Sequence, residues 1–145
     1  MATVKDVLAR KGAQVISISP WATVLEGARL MNEHKIGCLV VIDGERVSGI
    51  FTERDVLSRV VVEQHAPAVT RVHEVMSREI VCCQPDTDLD EARSVFKNRR
   101  IRHLPVVDAA QKLVGLVSIG DLNAFDADTQ ERTIHLLHEY NYGRT

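Results

Sequence analysis

The chain has no long apolar run. Its longest, such as Leu39 to Ile42 and Val60 to Val62, fall far short of the roughly 20 residues that a membrane-spanning helix needs, so no bilayer crossing is expected. The opening residues Met1 to Lys11 alternate charge with small apolar residues and lack the apolar core and small-residue cleavage site of a signal peptide; a cytoplasmic protein is expected. Neither sign of charge is in excess. With 20 acidic against 18 basic residues and a net charge of -2, bulk charge gives no reason for a nucleic-acid or anionic-membrane partner. Cysteines are few and wrongly spaced for a framework: Cys38, Cys82 and Cys83 are an odd number with two adjacent, which suits neither disulfide pairing nor a CxxC zinc site. They read as thiols of a reducing compartment, buried on strands because free cysteine packs as a small hydrophobe; a redox role for the Cys82-Cys83 pair is the alternative. A metal cluster and an activated nucleophile are also missing from the pattern, so no enzyme and no required cofactor are expected.

What the chain does have is an internal repeat, the first feature to seek in any sequence. Pro20 falls on Pro85, a shift of 65, and the same shift lays Val24 on Leu89, Glu26 on Glu91, Met31 on Phe96, Ile36 on Ile101, Leu39 on Leu104 and Val41 on Val106. After one extra residue in the second turn the shift is 66, and Gly49 falls on Gly115, Thr52 on Ser118 and Asp55 on Asp121. Each copy reads as strand, helix, strand, strand, helix. The first strands are expected at Gln14 to Ile18 and Glu79 to Cys83, and the first helices follow N-caps at Thr23 and Thr87. Hairpins are built on Cys38 to Ile42 and Leu104 to Val107, and the last helices start near Glu53 and Ile119. The predicted fold class is α/β (α+β): two β-α-β-β-α repeats packed sheet to sheet with pseudo-two-fold symmetry, plus a C-terminal helix. Its divisions are 1-66 for the first repeat with the N-terminal segment, 67-126 for the second, and 127-145 for the C-terminal helix and tail. A 145-residue chain with 45% hydrophobic content can bury one ordinary core or two small ones that lean on each other, and half-length units are marginal alone. Their pairing makes clefts.

The strongest local signal is the pair GIFTERD (Gly49 to Asp55) and GLVSIGD (Gly115 to Asp121), each at a strand-to-helix junction. Thr52 with Asp55, and Ser118 with Asp121, fit the helix capping box. The same geometry suits a ligand. A helix N-terminus presents unpaired N-H groups and positive dipole to a phosphate, and an ionised aspartate accepts from both hydroxyls of a ribose diol.

Over residues 4 to 126 this pattern, with the Leu104 to Asp108 strand before the second motif, resembles tandem cystathionine-β-synthase (CBS) domains. The resemblance implies a non-catalytic regulatory fold that binds AMP, ADP, ATP, NAD or S-adenosylmethionine between the paired domains, forms a homodimer, and signals to an effector protein in trans; a ligand-free dimerisation scaffold is the alternative. Carried over by position, Asp55 and Asp121 would hold ribose hydroxyls and Thr52 and Ser118 would sit near phosphate. Arg102 and His103 stand where family members contact phosphate, opposite Gly37 and Cys38 of the first copy. Ile16, Ile36, Ile80 and Ile101 would wall an adenine, and are equally good core residues. Val40 replaces the family's usual proline, present in the second copy as Pro105.

Trp21 reads as a packing anchor or subunit contact. His135 and His138 are three apart on the expected C-terminal helix, whose apolar face carries Ile134, Leu137 and Tyr140; they read as surface histidines.

Overall fold

Order in the chain is read from a computed structural model that describes residues 1–129. It runs α1 (Val4–Lys11), β1 (Ser17–Ile18), α2 (Val24–His34), β2 (Cys38–Asp43), β3 (Arg46–Thr52), α3 (Glu53–Asp55, wound on as a π-helix over Val56–Val61), α4 (Val72–Val75), α5 (Leu89–Arg99), β4 (His103–Val107) and β5 (Leu113–Ser118). A last helix, α6, begins at 119 and is described to 129. The expected helix carrying Ile134, His135, Leu137, His138 and Tyr140 lies outside the described residues. None of the described helices is long and apolar enough to cross a membrane.

Thr23 caps α2 as expected. Its hydroxyl accepts from the Glu26 N-H at 3.1 Å while the Glu26 carboxylate takes the Thr23 N-H, a reciprocal capping box. At α5 the cap moves one residue: Asp88 accepts from the Asp90 N-H at 3.1 Å, and Thr87 instead turns its hydroxyl to the Gln84 N-H at 3.0 Å. Both helices end in a left-handed residue, Lys35 at φ 53° and Arg100 at φ 55°. Those positions are 65 apart, so the repeat extends to the backbone.

Strands β2 and β3 form an antiparallel hairpin, from Cys38 opposite Thr52 to Asp43 opposite Arg46, closed by Gly44 at φ 65°. That positive φ is what glycine supplies cheaply. Strands β4 and β5 repeat it, from His103 opposite Ser118, and each hairpin carries a bulge at the matching place, Val41/Ile42 and Val106/Val107. The first strands are shorter than expected. β1 pairs parallel with β2 over two residues, and the 79–83 segment makes a single bridge, Cys83 to Val106. Cys83 donates to the Pro105 carbonyl and accepts from Val107, both at 2.9 Å. Two residues further toward Val81, the parallel ladder would require an N-H from Pro105, which has none.

The two cores exchange their leading helices. Val4, Val7 and Leu8 of α1 are buried with Leu89, Phe96, Leu104, Val117 and Leu122 of the second repeat, while Val72, Val75 and Met76 complete the first repeat's core around Val24, Leu39 and Phe51. The backbone bonds are reciprocal. Val4 N-H donates to Thr87 and Val72 N-H to Ala22, at 2.9 and 2.8 Å; Leu89 N-H donates to Ala2 and Val24 N-H to Thr70, at 3.2 and 2.8 Å. An approximate two-fold relation is written in these pairs. The exchange also explains the first glycine of each motif. A Cβ on Gly49 would lie 2.8 Å from the Ser77 carbonyl oxygen, and one on Gly115 would lie 2.8 Å from Leu8 Cδ1. Glycine is needed there so that the exchanged segment can seat on the sheet.

Candidate functional site

Both motifs fold as capping boxes. Thr52 N-H donates to Asp55 Oδ2 at 2.9 Å and Asp55 N-H to Thr52 Oγ1 at 3.3 Å; in the second repeat Ser118 N-H donates to Asp121 Oδ2 at 2.8 Å and Asp121 N-H to Ser118 Oγ at 3.1 Å. These bonds aim each carboxylate at the turn where strand gives way to helix. Only one carboxylate oxygen of each is used by its cap.

A cavity of about 250 Å³ lies between the repeats, lined by Lys11, Gln14, Val15, Ile16, Ile36, Gly37, Cys38, His103, Leu116, Ser118 and Asp121. It brings Ile16 and Ile36 of the first repeat to His103, Ser118 and Asp121 of the second. Thr52, Asp55, Ile80, Ile101 and Arg102 are not in its wall. Ile101 packs on the second core, and Asp55 is buried with Arg59 Nε 3.8 Å from its Oδ1. Arg102 is exposed, and its carbonyl accepts the Ile119 N-H at 3.3 Å, which places it beside the start of α6. A more open depression of about 420 Å³, lined by Thr3, Lys5, Gln84, Pro85, Asp86, Asp108 and Ala109, holds none of the expected residues.

Lys11 was not foreseen. Its Nζ lies 2.6 Å from Asp121 Oδ2 and 2.8 Å from the Leu116 carbonyl. Nothing in the sequence marks it, because α1 reaches this cleft only by crossing to the other repeat. Gly37 and Cys38, by contrast, were marked by their alignment with Arg102 and His103.

Burial pushes the Asp121 carboxyl up, but the hydrogen bonds from Lys11 and Ser118 outweigh it and hold the group below its ordinary value, so the carboxylate is an ionised acceptor. Burial also pulls His103 down from its ordinary 6.5, and the Arg102 charge adds to this, against opposing pulls from Asp121 and Glu53. Folded protein therefore binds fewer protons at His103 than unfolded chain does, and stability falls as pH drops through about 6.5. Unfolding temperature is expected to fall between pH 7.5 and 5.5, and the fall to shrink in His103→Gln; an identical slope in both proteins would exclude His103 as a cause.

Burial raises the thiols of Cys38 and Cys83 to about 12. Both are buried as expected, Cys38 on β2 and Cys83 at its single bridge, and at neutral pH they are protonated and unreactive. Cys82 departs from that expectation: it is exposed, as is its counterpart Ser17 on β1, because adjacent residues of an extended segment point to opposite faces and only Cys83 faces the core. Trp21 is 63% exposed, with its ring edge-on to His73 at 4.8 Å. Among the described residues no group of three or more His, Cys, Asp or Glu is placed to hold a metal ion.

Comparison with known proteins follows the same two-part division. The CBS domain profile matches residues 4–62 and 72–128. The CBS domain-containing protein YhcV of Bacillus subtilis is 38% identical over 122 residues, 84% of this chain and 84% of that protein. A protein with CBS domains from Burkholderia ambifaria superposes with a TM-score of 0.79 at 38% identity, over 83% of this chain and 90% of that one. The CBS domain pair of protein MJ0100, solved in complex with 5'-methylthioadenosine and S-adenosyl-L-methionine, shares the fold with a TM-score of 0.79 at 22% identity, over 89% of this chain and 98% of that one.

Proposed function

The chain belongs to the CBS-domain family, and on that premise we propose that it is a non-catalytic regulatory module whose inter-repeat cleft binds an adenosine-containing ligand of the AMP, ADP, ATP, NAD or S-adenosylmethionine class. One observation carries the reading: a single cavity sets an ionised aspartate and a capped helix N-terminus from the second repeat against the apolar side chains Ile16 and Ile36 of the first. That is a diol acceptor, an anion-favouring helix end and an apolar wall for a base, in one place. A pair of this fold that holds two adenosine compounds is consistent with it.

Occupancy of a cleft between two repeats favours whichever relative arrangement of the repeats closes on the ligand, and so changes affinity for a protein bound elsewhere. The listener is an effector protein in trans, and the module acts in the cytoplasm as a homodimer. Leu57 and Val61 support the dimer. One turn apart on the helix after Asp55, they are 60% and 59% exposed, with Val62 beside them, and such an apolar strip favours burial against a second surface. The same strip supports the second reading, a dimerisation scaffold that needs no ligand.

A thermal-shift panel of AMP, ADP, ATP, NAD and S-adenosylmethionine separates the two. A ligand at about 100 times its Kd adds about 2.7 kcal/mol to stability, a rise of roughly 5–10 °C for a chain of this size. The rise is expected with at least one ligand and is expected to disappear in Asp121→Ala. No shift with any ligand would establish the scaffold instead.

A further inference from the structure

The two halves differ at the backbone edge beside each aspartate. In the first repeat, Ile50 turns its edge outward, and that edge is filled: Ile50 N-H donates to the Ser77 carbonyl at 3.0 Å and Ser77 N-H to the Ile50 carbonyl at 2.9 Å. Ser77 is there because α4 stops at Val75. Arg59 Nη1 takes the carbonyls of Val75 and Met76 at 3.1 and 3.2 Å, satisfying acceptors that another helical turn would otherwise use, and the chain continues extended along β3.

The counterpart of Ile50 in the second repeat is Leu116. It also faces outward, since the carbonyl of its partner Pro105 is taken by the Cys83 N-H. Here α1 does not stop short. It continues to Lys11, and the position held by Ser77 backbone in one half is held in the other by a side chain, with Lys11 Nζ on both the Leu116 carbonyl and Asp121. A backbone bridge is fixed by the chain on either side of it. A lysine ammonium on a four-carbon stem is not.

Resting on the adenosine-ligand reading above, we propose that the Asp121 cleft is the chain's single nucleotide site, held closed by the Lys11 side chain, which a ribose diol displaces, while the Asp55 half is shut by its own backbone. Exposure agrees: the Asp121 side chain is 25% accessible and that of Asp55 is 12%. Size agrees as well. The cavity, at about 250 Å³, falls short of the roughly 300 Å³ at which small-molecule pockets begin, and Lys11 forms part of its wall. Moving the ammonium aside frees the Leu116 carbonyl and leaves Asp121 Oδ2 with only its Ser118 N-H bond, so that two neighbouring acceptors face a ribose diol. Lys11 is thus a positioning residue of the cleft. Its displacement unlatches the last turn of α1 from the site.

Isothermal titration with AMP and with adenosine, on wild type, Lys11→Met, Lys11→Arg, Asp55→Asn and Asp121→Asn, tests this. One molecule per chain is expected, with binding lost in Asp121→Asn and stoichiometry and affinity kept in Asp55→Asn. Lys11→Met keeps an unbranched stem and removes the competing charge, so adenosine is expected to bind on the order of three- to tenfold more tightly to it, while Lys11→Arg stays near wild type. Two molecules per chain, binding lost through Asp55→Asn, or weaker adenosine binding in Lys11→Met would overturn this proposal and leave the adenosine-ligand reading standing. Absence of binding in both wild type and Lys11→Met would overturn the two together.

Discussion

Val7→Asp is expected to disorder the second repeat before the first, although Val7 lies at the head of the first in sequence. Val7 is 1% exposed and sits in the core formed by Leu89, Phe96, Leu104 and Val117. A carboxylate placed there has no partner, and burying an unpaired charge costs several kcal/mol or drives the site open. Against a total stability of about 5–15 kcal/mol, such a loss approaches global unfolding. Hydrogen exchange followed by mass spectrometry reads the location as well as the size. Protection should fall first over 89–118, with 24–52 following; loss beginning at 38–52 would mean that α1 does not belong to the second core.

Phe51→Ala should have the largest effect in the other core. Phe51 is fully buried, and its ring packs so close to Gly27 that a Cβ there would come within 2.9 Å of Phe51 Cε2. Truncating a buried phenylalanine costs about 3–5 kcal/mol, part lost transfer energy and part cavity, which should appear as a fall of roughly 10–20 °C in Tm and a lower urea midpoint at unchanged slope. Gly27 supplies the control. Alone, Gly27→Ala overpacks the site and destabilises; combined with Phe51→Ala it places a methyl group in the vacated space, so the pair should be less destabilised than the sum of the singles. Strict additivity would show that the two positions do not touch.

Much of the architecture was legible because local pattern and local chemistry coincide. The hairpins, the helices after Thr23 and before Arg100, and the two capping boxes all follow from alternation, helical spacing and hydroxyl-acid pairs three apart. The misses have separate causes. Asp88 rather than Thr87 caps α5 because Thr87 is needed at the Pro85 turn. The 79–83 strand fails because Pro105, on a different strand, lacks a donor. Helices α1 and α4 escaped notice since each is short and its apolar face is completed by the opposite repeat. Lys11 was invisible for the same reason; the inequality of the two copies was legible only in Arg102 and His103 against Gly37 and Cys38, and in Val40 against Pro105.

The candidate site was legible in residue type and not in grouping. Ser118, Asp121, His103, Ile16 and Ile36 meet around one cavity, whereas Thr52 and Asp55, equivalent by sequence, do not join it. What separates them is the length of the leading segment, eight helical residues in Val4–Lys11 against four in Val72–Val75. No residue inside either motif records that difference.

The exchanged helices also determine how tension travels through the chain. Tension applied at Met1 bears first on the Ala2 carbonyl held by the Leu89 N-H and then on the Val4 and Lys5 amides held by Thr87 and Pro85, and so on the half of the chain farther away in sequence. Tension on the connector between the repeats bears, through Val72 and His73, on Ala22 and Pro20. Each repeat is therefore anchored by a segment that leads into the other, like two hands gripping each other's wrists, and neither can be drawn out without loosening its twin.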